Sequence, residues 1–357
     1  MILFANFCFA GCREEGVSKD MSLNLPPFST TGIGSVPFAD ADDACTRITD
    51  TFDIPFWPQM ARRSHREGMI AQFAEGMPYL RIDDALERVW VKRDDSDQLT
   101  PFYVACADDV RSAISGSAAQ GLHAFSRMMS SRRISAVKGH VTGPLTFTLG
   151  LKDAEGKPVY FDEELREIAS LLLQAKIRWQ VDLLKQFADE VIIFLDEPIF
   201  SAIGSSSYLG VENAEVERLL TDSVAAVRQA GGLAGVHCCG KSDWALVMRS
   251  GADILSFDAF EYFDTLALYT GELREFYGRG GSLAWGIVPT SDVIGSADER
   301  SVAEALRGKV DHLSRLVPEE MVRQQSLITP ACGTGSRTPE ETGKIFRLIR
   351  AAKAAMV

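Results

Sequence analysis

The stretch Val191-Ile192-Ile193-Phe194-Leu195-Asp196-Glu197-Pro198 joins five consecutive apolar residues to two acids and a proline. A strand that is buried on both faces of a parallel sheet has this unbroken apolar pattern. In closed parallel sheets the chemistry lies at the carboxyl ends of the strands, which is where Asp196 and Glu197 stand. The stretch therefore predicts a buried parallel strand that carries carboxylates to a functional edge.

Seven other short apolar runs are separated by longer, helix-like segments. They are Thr31–Ser35, Pro55–Trp57, Ala136–Gly139, Leu233–Val236, Ile254–Phe257, Leu283–Ile287 and Ser326–Thr329. Between the runs, Glu163–Phe187, Glu212–Ala230 and Thr338–Met356 place apolar residues at helical spacing. Alternating strands and helices predict a parallel α/β sheet, and eight strands favour a closed (β/α)₈ barrel, the TIM barrel. A doubly wound open sheet is the competing fold, but no Gly-x-Gly-x-x-Gly turn follows the first strand.

Length and composition favour one large soluble domain. The chain has 357 residues, and its 46% hydrophobic content is enough for a large core. We predict one catalytic domain over residues 29–357, preceded by an extension, residues 1–28, that is disordered or contains a true start at Met21. The net charge of −12 argues against nucleic-acid binding, and no apolar run reaches the roughly 18 residues of a membrane span. Seven cysteines, an odd number in so large a chain, favour a reducing cytoplasm.

Three residues of metal-binding types, one histidine and two cysteines, follow two of the predicted strands. His237 and Cys239 come directly after one strand, and in extended chain they face one point while Cys238 faces away. Cys332 follows another strand, and a barrel brings such strand ends together. Two thiolates and one imidazole suit zinc and leave a fourth position for a weak ligand or a substrate. The alternative is that these are buried cysteines and a core histidine.

A zinc ion with two thiolate ligands is suited to alkyl transfer. A free thiol has a pKa of about 8.5, so at neutral pH it is mostly protonated. Coordination to zinc removes the proton and holds the thiolate as a nucleophile. The negative charge of two cysteine ligands keeps that thiolate electron-rich, which favours alkyl transfer over activation of water.

Other polar residues at strand ends are candidates for binding. A buried carboxylate needs a partner, so Asp196 favours binding of a substrate amine or another donor. Glu197 points the other way in extended chain, which favours a structural role. Three roles are open for Asp258: a fourth zinc ligand, a hydrogen-bond partner of His237, or a loop cap. We interpret His140 as a hydrogen-bonded structural histidine.

These motifs resemble those of the superfamily of uroporphyrinogen decarboxylases and cobalamin-independent methionine synthases, across most of residues 29–350. Thr30–Pro37 is similar to the first-strand signature of the catalytic half of methionine synthase, and Leu195–Pro198 is similar to its Asp-Glu-Pro strand end. His237–Gly240 and Pro330–Gly333 resemble the zinc-binding motifs of methyltransferases that use methylated corrinoid proteins. The last two motifs are the specific ones, and the others support them.

The resemblance implies a set of site residues and an activity. It implies zinc on His237, Cys239 and Cys332, and amino-acid or thiol binding by Ile33, Gly34, Ser35 and Asp196. The implied activity moves a methyl group between a corrinoid donor such as methylcobalamin, free or protein-bound, or a methyl-folate, and a small thiol such as homocysteine. Uroporphyrinogen decarboxylases do not carry this ligand set, which disfavours decarboxylation. The alternatives are a zinc- or corrinoid-protein-binding module without turnover, and a decarboxylase-like enzyme.

Several departures from the methionine synthase pattern bear on the methyl donor. Asp258 stands where that family has a glutamate as the extra zinc ligand, and Ala71 stands where it has a glutamate for the homocysteine amine. Residues 286–292 contain no histidine, although the family uses one there for proton delivery. The second, N-terminal barrel of the long folate-using enzymes is also absent from this sequence. These departures favour a methylcorrinoid over methyltetrahydrofolate as the donor.

Overall fold

The computed structural model describes residues 25–107, 112–203 and 208–357. Its strands are β1 (Ser29–Thr30), β2 (Leu80–Asp83), β3 (Arg88–Val91), β4 (Ile134–Thr142), β5 (Ala188–Asp196), β6 (Leu233–Cys238), β7 (Ile254–Phe257), β8 (Ser282–Val288) and β9 (Ser326–Pro330). Its α-helices are α1 (Ala41–Thr51), α2 (Met69–Ala74), α3 (Leu99–Ala107), α4 (Gln120–Met129), α5 (Pro144–Gly150), α6 (Glu163–Lys185), α7 (Asn213–Gln229), α8 (Trp244–Arg249), α9 (Ala259–Leu266), α10 (Thr270–Gly278), α11 (Glu299–Leu313), α12 (Glu319–Gln324) and α13 (Pro339–Met356).

A curled parallel sheet of seven strands lies at the centre, in the order β1-β9-β8-β7-β6-β5-β4. Six of the eight predicted strands are confirmed at their predicted positions within it. The first is displaced, because β1 covers Ser29–Thr30 and Thr31–Ser35 continues beyond it as irregular chain. The α/β class and the parallel arrangement are confirmed.

The second predicted strand, Pro55–Trp57, is not a strand in the structure. Proline lacks the N–H that a strand interior needs, and this segment has prolines at positions 55 and 58. The segment still contacts both edges of the sheet. The Ile54 N–H donates to the Thr30 carbonyl over 3.0 Å, and the Lys138 N–H donates to the Pro55 carbonyl over 2.8 Å. Residues 54–59 therefore connect β1 to β4 without forming a regular ladder.

The three predicted amphipathic helices are confirmed as α6, α7 and α13. Each begins where the sequence supplies a favourable first turn. The Asp162 side chain accepts a hydrogen bond from Leu165 N at the start of α6. At the start of α13, Thr338 and Glu341 cap each other's backbone N–H and Pro339 occupies the first turn. Their apolar faces pack on the outside of the sheet.

The inner face of the curled sheet is apolar at one end and polar at the other. Its apolar layer consists of Ile33, Ile54, Ala136, Ile192, Phe194, Leu233, Ile254, Ala284 and Leu327. On β5, Asp196 follows Ile192 and Phe194 at the same two-residue interval, so it faces the same way. Asp196 lies beside His237 of β6, which lies beside Ser256 of β7. The carboxyl ends of the strands therefore carry the polar residues, as the sequence predicts.

Two further features complete the described structure. An antiparallel hairpin, β2 with β3, is not among the predicted strands; its strands are short and, apart from Val91, only partly buried or exposed. Of the predicted N-terminal extension, residues 1–24 lie outside the described residues, while Phe28 is buried in the core. In the described part of the chain, no helix is both long and apolar enough to cross a membrane.

Candidate metal centre

His237, Cys239 and Cys332 come together at the carboxyl end of the sheet. His237 belongs to β6, Cys239 follows that strand, and Cys332 lies two residues beyond β9. One ligand atom from each of the three lies within 4.8 Å of the other two. In a tetrahedral zinc site with bonds of about 2.0–2.3 Å, ligand atoms lie about 3.3–3.8 Å apart. A small inward movement of the three side chains therefore brings their ligand atoms to the separations of a tetrahedral zinc site.

The His237 ring has one nitrogen engaged and one nitrogen free. Nδ1 lies 2.9 Å from Oγ of Ser256, on the neighbouring strand β7. Nε2 is buried and has no hydrogen-bond partner among the described residues. Leaving a buried polar atom without a partner costs about 1–3 kcal/mol, so a ligand at Nε2 removes a penalty. The donor set of one imidazole and two thiols fits zinc.

The two cysteines interact with each other and carry no disulfide. The hydrogen bond from the Cys332 thiol, helped by His237, lowers the pKa of Cys239 far below its usual range. The same hydrogen bond and burial raise the pKa of Cys332. Cys239 is therefore the cysteine of this pair that ionises more readily, and its thiolate would be stabilised by a bound cation.

Asp196 and Lys138 place opposite charges on the inner face, close to this cluster. Asp196 is buried, and its Oδ1 has no hydrogen-bond partner among the described residues. Burial raises the pKa of Asp196, while His237 and Lys138 act in the other direction. Lys138 is fully buried; its Nζ donates to the Ile33 carbonyl and lies 4.5 Å from the ring centre of Phe194.

The predicted substrate-binding loop, Ile33-Gly34-Ser35, lies against the loop that carries Cys332. The Ser35 carbonyl accepts from Thr334 N over 2.8 Å, and Ser35 Oγ accepts from Gly335 N over 3.3 Å. A Cβ at position 333 would lie 2.1 Å from Ser35 Oγ, so only glycine fits there. The structure thus brings the predicted substrate-binding residues and the predicted metal ligands to one end of the sheet.

Glu197 has a structural environment, in agreement with its predicted orientation away from the site. Its fully buried carboxylate accepts hydrogen bonds from Leu145 N, Thr146 N and Thr146 Oγ1 at 2.9, 2.8 and 2.6 Å. These bonds hold the first turn of α5. Burial raises the pKa of Glu197 to about 7, against the effect of these donors.

Asp258 follows β7 and begins helix α9. Its Oδ1 accepts from Glu261 N over 2.9 Å, so its carboxylate acts as a helix cap. Burial raises its pKa to about 6. The Nδ1 atom of His237 contacts Ser256 rather than Asp258. Metal ligation by Asp258 stays a prediction.

His140 was interpreted as a hydrogen-bonded structural histidine, and this interpretation is wrong for the described residues. The residue is 1% exposed, yet neither Nδ1 nor Nε2 has a hydrogen-bond partner among them. Its ring instead stacks on Trp57, with centroids 3.8 Å apart. The ring therefore packs between β4 and the irregular segment 54–59.

Two residues of the site were missed from the sequence. Ser256 and Lys138 are polar residues inside otherwise apolar strands, and both face inward beside predicted site residues. A charged or hydroxyl-bearing residue within a buried strand needs a partner. That requirement was the signal available in the sequence.

Solved structures with the same fold are methionine synthases and a methyltransferase. A B12-independent methionine synthase from Shewanella, in complex with selenomethionine, has a TM-score of 0.58 and 15% identity, covering 92% of this chain and 97% of that one. A putative vitamin-B12-independent methionine synthase from Listeria monocytogenes has a TM-score of 0.59 and 15% identity, covering 93% and 99%. A methyltransferase from Methanosarcina mazei has a TM-score of 0.52 and 12% identity, covering 94% and 95%.

No protein family model matches the sequence, and no curated protein matches it. Identities of 12–15% establish a shared fold. The resemblance predicted from the sequence motifs is confirmed at that level, over more than nine-tenths of the chain. The chain has the fold of the B12-independent methionine synthases and of the Methanosarcina methyltransferase.

Proposed function

We propose that this chain is a zinc-dependent methyltransferase that moves a methyl group between a corrinoid or methyl-folate and a small thiol such as homocysteine. One observation carries the proposal: a histidine nitrogen and two cysteine sulfurs lie within 4.8 Å of one another at the carboxyl end of the sheet. The fold is shared with structures described as methionine synthases and a methyltransferase, which supports the same class of reaction.

Each residue of the site has a role in this proposal. His237, Cys239 and Cys332 hold zinc, and Ser256 fixes the orientation of the His237 ring. Zinc, when bound, favours the deprotonated form of a substrate thiol at neutral pH. The free Oδ1 of Asp196 accepts a hydrogen bond from the substrate.

The transfer itself balances without any further reactant. The thiol releases its proton to solvent, its sulfur forms a bond to the methyl carbon, and the bond between that carbon and the donor breaks with its electron pair left on the donor. The protein aligns the thiol sulfur with the methyl carbon, and this proximity contributes to the rate of transfer. Burial of the site among apolar strands excludes water from competing for the methyl group.

The same proposal includes a closed (β/α)₈ barrel as a single domain over residues 29–357. Residues 54–59 take the place of the second strand, because hydrogen bonds join this segment to β1 on one side and to β4 on the other. A closed barrel gathers the ends of β5, β6 and β9 around one point. The methyl donor and the thiol meet there.

The departures at Ala71, Asp258 and residues 286–292 favour methylcobalamin, free or on a corrinoid protein, over a methyl-folate as donor. We place the protein in the cytoplasm, because Cys239 and Cys332 must stay reduced to bind zinc. Neither nucleic acid nor membrane has a part in this function.

The test is a methyl-transfer assay with zinc-loaded protein. Methylcobalamin and methyltetrahydrofolate are each offered with homocysteine, 2-mercaptoethanesulfonate or 3-mercaptopropionate, and the methylated thiol is measured. We expect transfer from methylcobalamin, with a loss of about 100-fold or more in Cys239→Ser and Cys332→Ser. Cys238→Ala is the matched control, because Cys238 is buried in the main hydrophobic core and is not one of the three candidate ligands. Absence of transfer from both donors to all three thiols would refute the proposal.

A further inference from the structure

His140 is a buried titratable residue that the proposed function leaves unused. It is 1% exposed, and both ring nitrogens lack a hydrogen-bond partner among the described residues. An unpartnered buried polar atom costs about 1–3 kcal/mol, and here there are two. Buried polar groups without protein partners are exceptional and point to a water or a ligand.

Packing contacts hold the ring of His140 in place. One face stacks on Trp57, with centroids 3.8 Å apart and planes 25° apart, and Phe73 meets it edge-on. The Gln180 side chain accepts from His140 N and donates to His140 O, both at 3.1 Å. A Cβ at Gly34 would lie 2.9 Å from the ring, so the substrate-binding loop packs directly on it.

His140 lies on the same inner face as the candidate site. Its register partner is Phe194, a member of the inner apolar layer, and the next inward pair toward the carboxyl end is Thr142 with Asp196. Burial lowers the pKa of His140 far below its usual range, and the nearby Lys138 ammonium lowers it further. The ring is therefore neutral, with one N–H donor and one acceptor nitrogen.

We propose that His140 is a substrate-positioning residue whose ring N–H donates a hydrogen bond to an acidic group, a carboxylate or sulfonate, on the thiol substrate. The inference rests on the proposed methyl transfer, and it adds the residue that recognises the acidic end of the thiol. The Lys138 ammonium on the same face favours an anion beside His140 and disfavours an ammonium there. Asp196 lies one register pair farther along and favours a cationic or hydrogen-bond-donating group. The acidic end of the substrate therefore binds at His140, and an amine or another donor binds at Asp196.

The kinetic test compares two thiols of equal length, 3-mercaptopropionate and 1-propanethiol. In His140→Phe, which keeps a ring against Trp57, we expect KM for 3-mercaptopropionate to rise about 10- to 100-fold, because a hydrogen bond to a charged group is lost. We expect kcat, and both constants for 1-propanethiol, to change less than about twofold. His140→Gln keeps an N–H donor and recovers most of the affinity for the acid.

A purely structural histidine gives a different result. If His140→Phe impairs both thiols equally, or if His140→Gln and His140→Phe behave alike, the positioning role is overturned. The melting temperature of each variant is measured beside the kinetics.

A second measurement needs no catalysis and no variant. Butyrate, which has the acid but no thiol, is titrated into wild-type zinc-loaded protein while the His140 imidazole resonances are followed by NMR. We expect a saturable shift of these resonances with butyrate and none with 1-butanol. No shift at saturating butyrate overturns the inference. Failure of methyl transfer with a clear butyrate shift would refute the proposed function and leave this site standing.

Discussion

The Nδ1 atom of His237 lies 2.9 Å from the Oγ atom of Ser256, one strand away in the sheet. The two residues are register partners in β6 and β7, so the contact is set by backbone pairing and not by a flexible loop. It leaves Nε2 as the ring nitrogen that has no hydrogen-bond partner within the described part of the chain. A metal-bound histidine is usually held in this way, by a hydrogen bond from its other nitrogen.

Ser256→Ala should weaken zinc binding about tenfold, because the ring loses the contact that orients Nε2. Zinc affinity is measured by competition with a chromophoric chelator. Ser250→Ala is the matched control, since Ser250 is also buried but donates to the Val247 carbonyl of α8. Equal affinities of Ser256→Ala and the wild type would contradict the orienting role.

Glu197→Ala should destabilise the protein by roughly 2–4 kcal/mol, since three hydrogen-bond donors at the start of α5 lose a buried acceptor. Urea unfolding measures the change. Glu275→Ala, at an exposed position of α10, should change stability by less than about 0.5 kcal/mol. A Glu197→Ala protein as stable as the wild type would show that the Glu197 carboxylate does not hold the first turn of α5.

Gly34→Ala should cost about 1–3 kcal/mol through overpacking, because the new Cβ would lie 2.9 Å from a His140 ring already stacked on Trp57. The free energy of unfolding is compared with that of Gly271→Ala, where a Cβ meets nothing within 4 Å. Equal stabilities of the two variants would show that the His140 ring moves freely, against the packing described above.

The pair of Asp53 and Lys353 should make stability depend on pH in the acid range. Partial burial opposes the charge of Asp53, but hydrogen bonds from Lys353 and Thr30 outweigh it and lower its pKa. Since the folded pKa lies below the unfolded value of about 3.9, the stabilisation is present above that value and is lost as pH falls through the folded pKa.

Asp53→Asn should therefore lose roughly 0.5–1 kcal/mol at pH 7, a modest amount because the pair is partly exposed. The difference from wild type should shrink as pH falls below the unfolded value of about 3.9 and through the lower folded pKa. Unfolding curves between pH 2 and 7 test this, with the exposed Asp50→Asn as control. A difference that is constant across this pH range would contradict the assignment.

Much of the fold is readable from the sequence because buried parallel strands are continuous apolar runs. Val191–Leu195 is predicted in this way, and it lies in the central sheet as part of β5. The prediction of a strand at Pro55–Trp57 is wrong. Its apolar residues are buried in the core, but the prolines at positions 55 and 58 prevent a regular strand ladder. The hairpin of β2 and β3 is not predicted, although Leu80–Asp83 alternates apolar and charged residues, because each strand has only four residues and most of them are only partly buried.

The candidate metal cluster was readable for a different reason. The His-x-Cys spacing after one strand, and a cysteine after another, fix positions that parallel topology brings together. The His140 environment was not readable. Whether a buried histidine finds a partner depends on which way its ring packs, and that is decided by Trp57 and Gly34, more than eighty residues away in the chain.

The central claim is that His237, Cys239 and Cys332 bind one zinc ion. Its most direct test is the zinc content of protein purified without added metal, measured beside Cys239→Ser, Cys332→Ser and the Cys238→Ala control. We expect about one zinc per chain in the wild type and the control, and loss of the metal in both ligand variants. A wild-type protein without zinc even after anaerobic loading, or ligand variants that keep it, would contradict the claim.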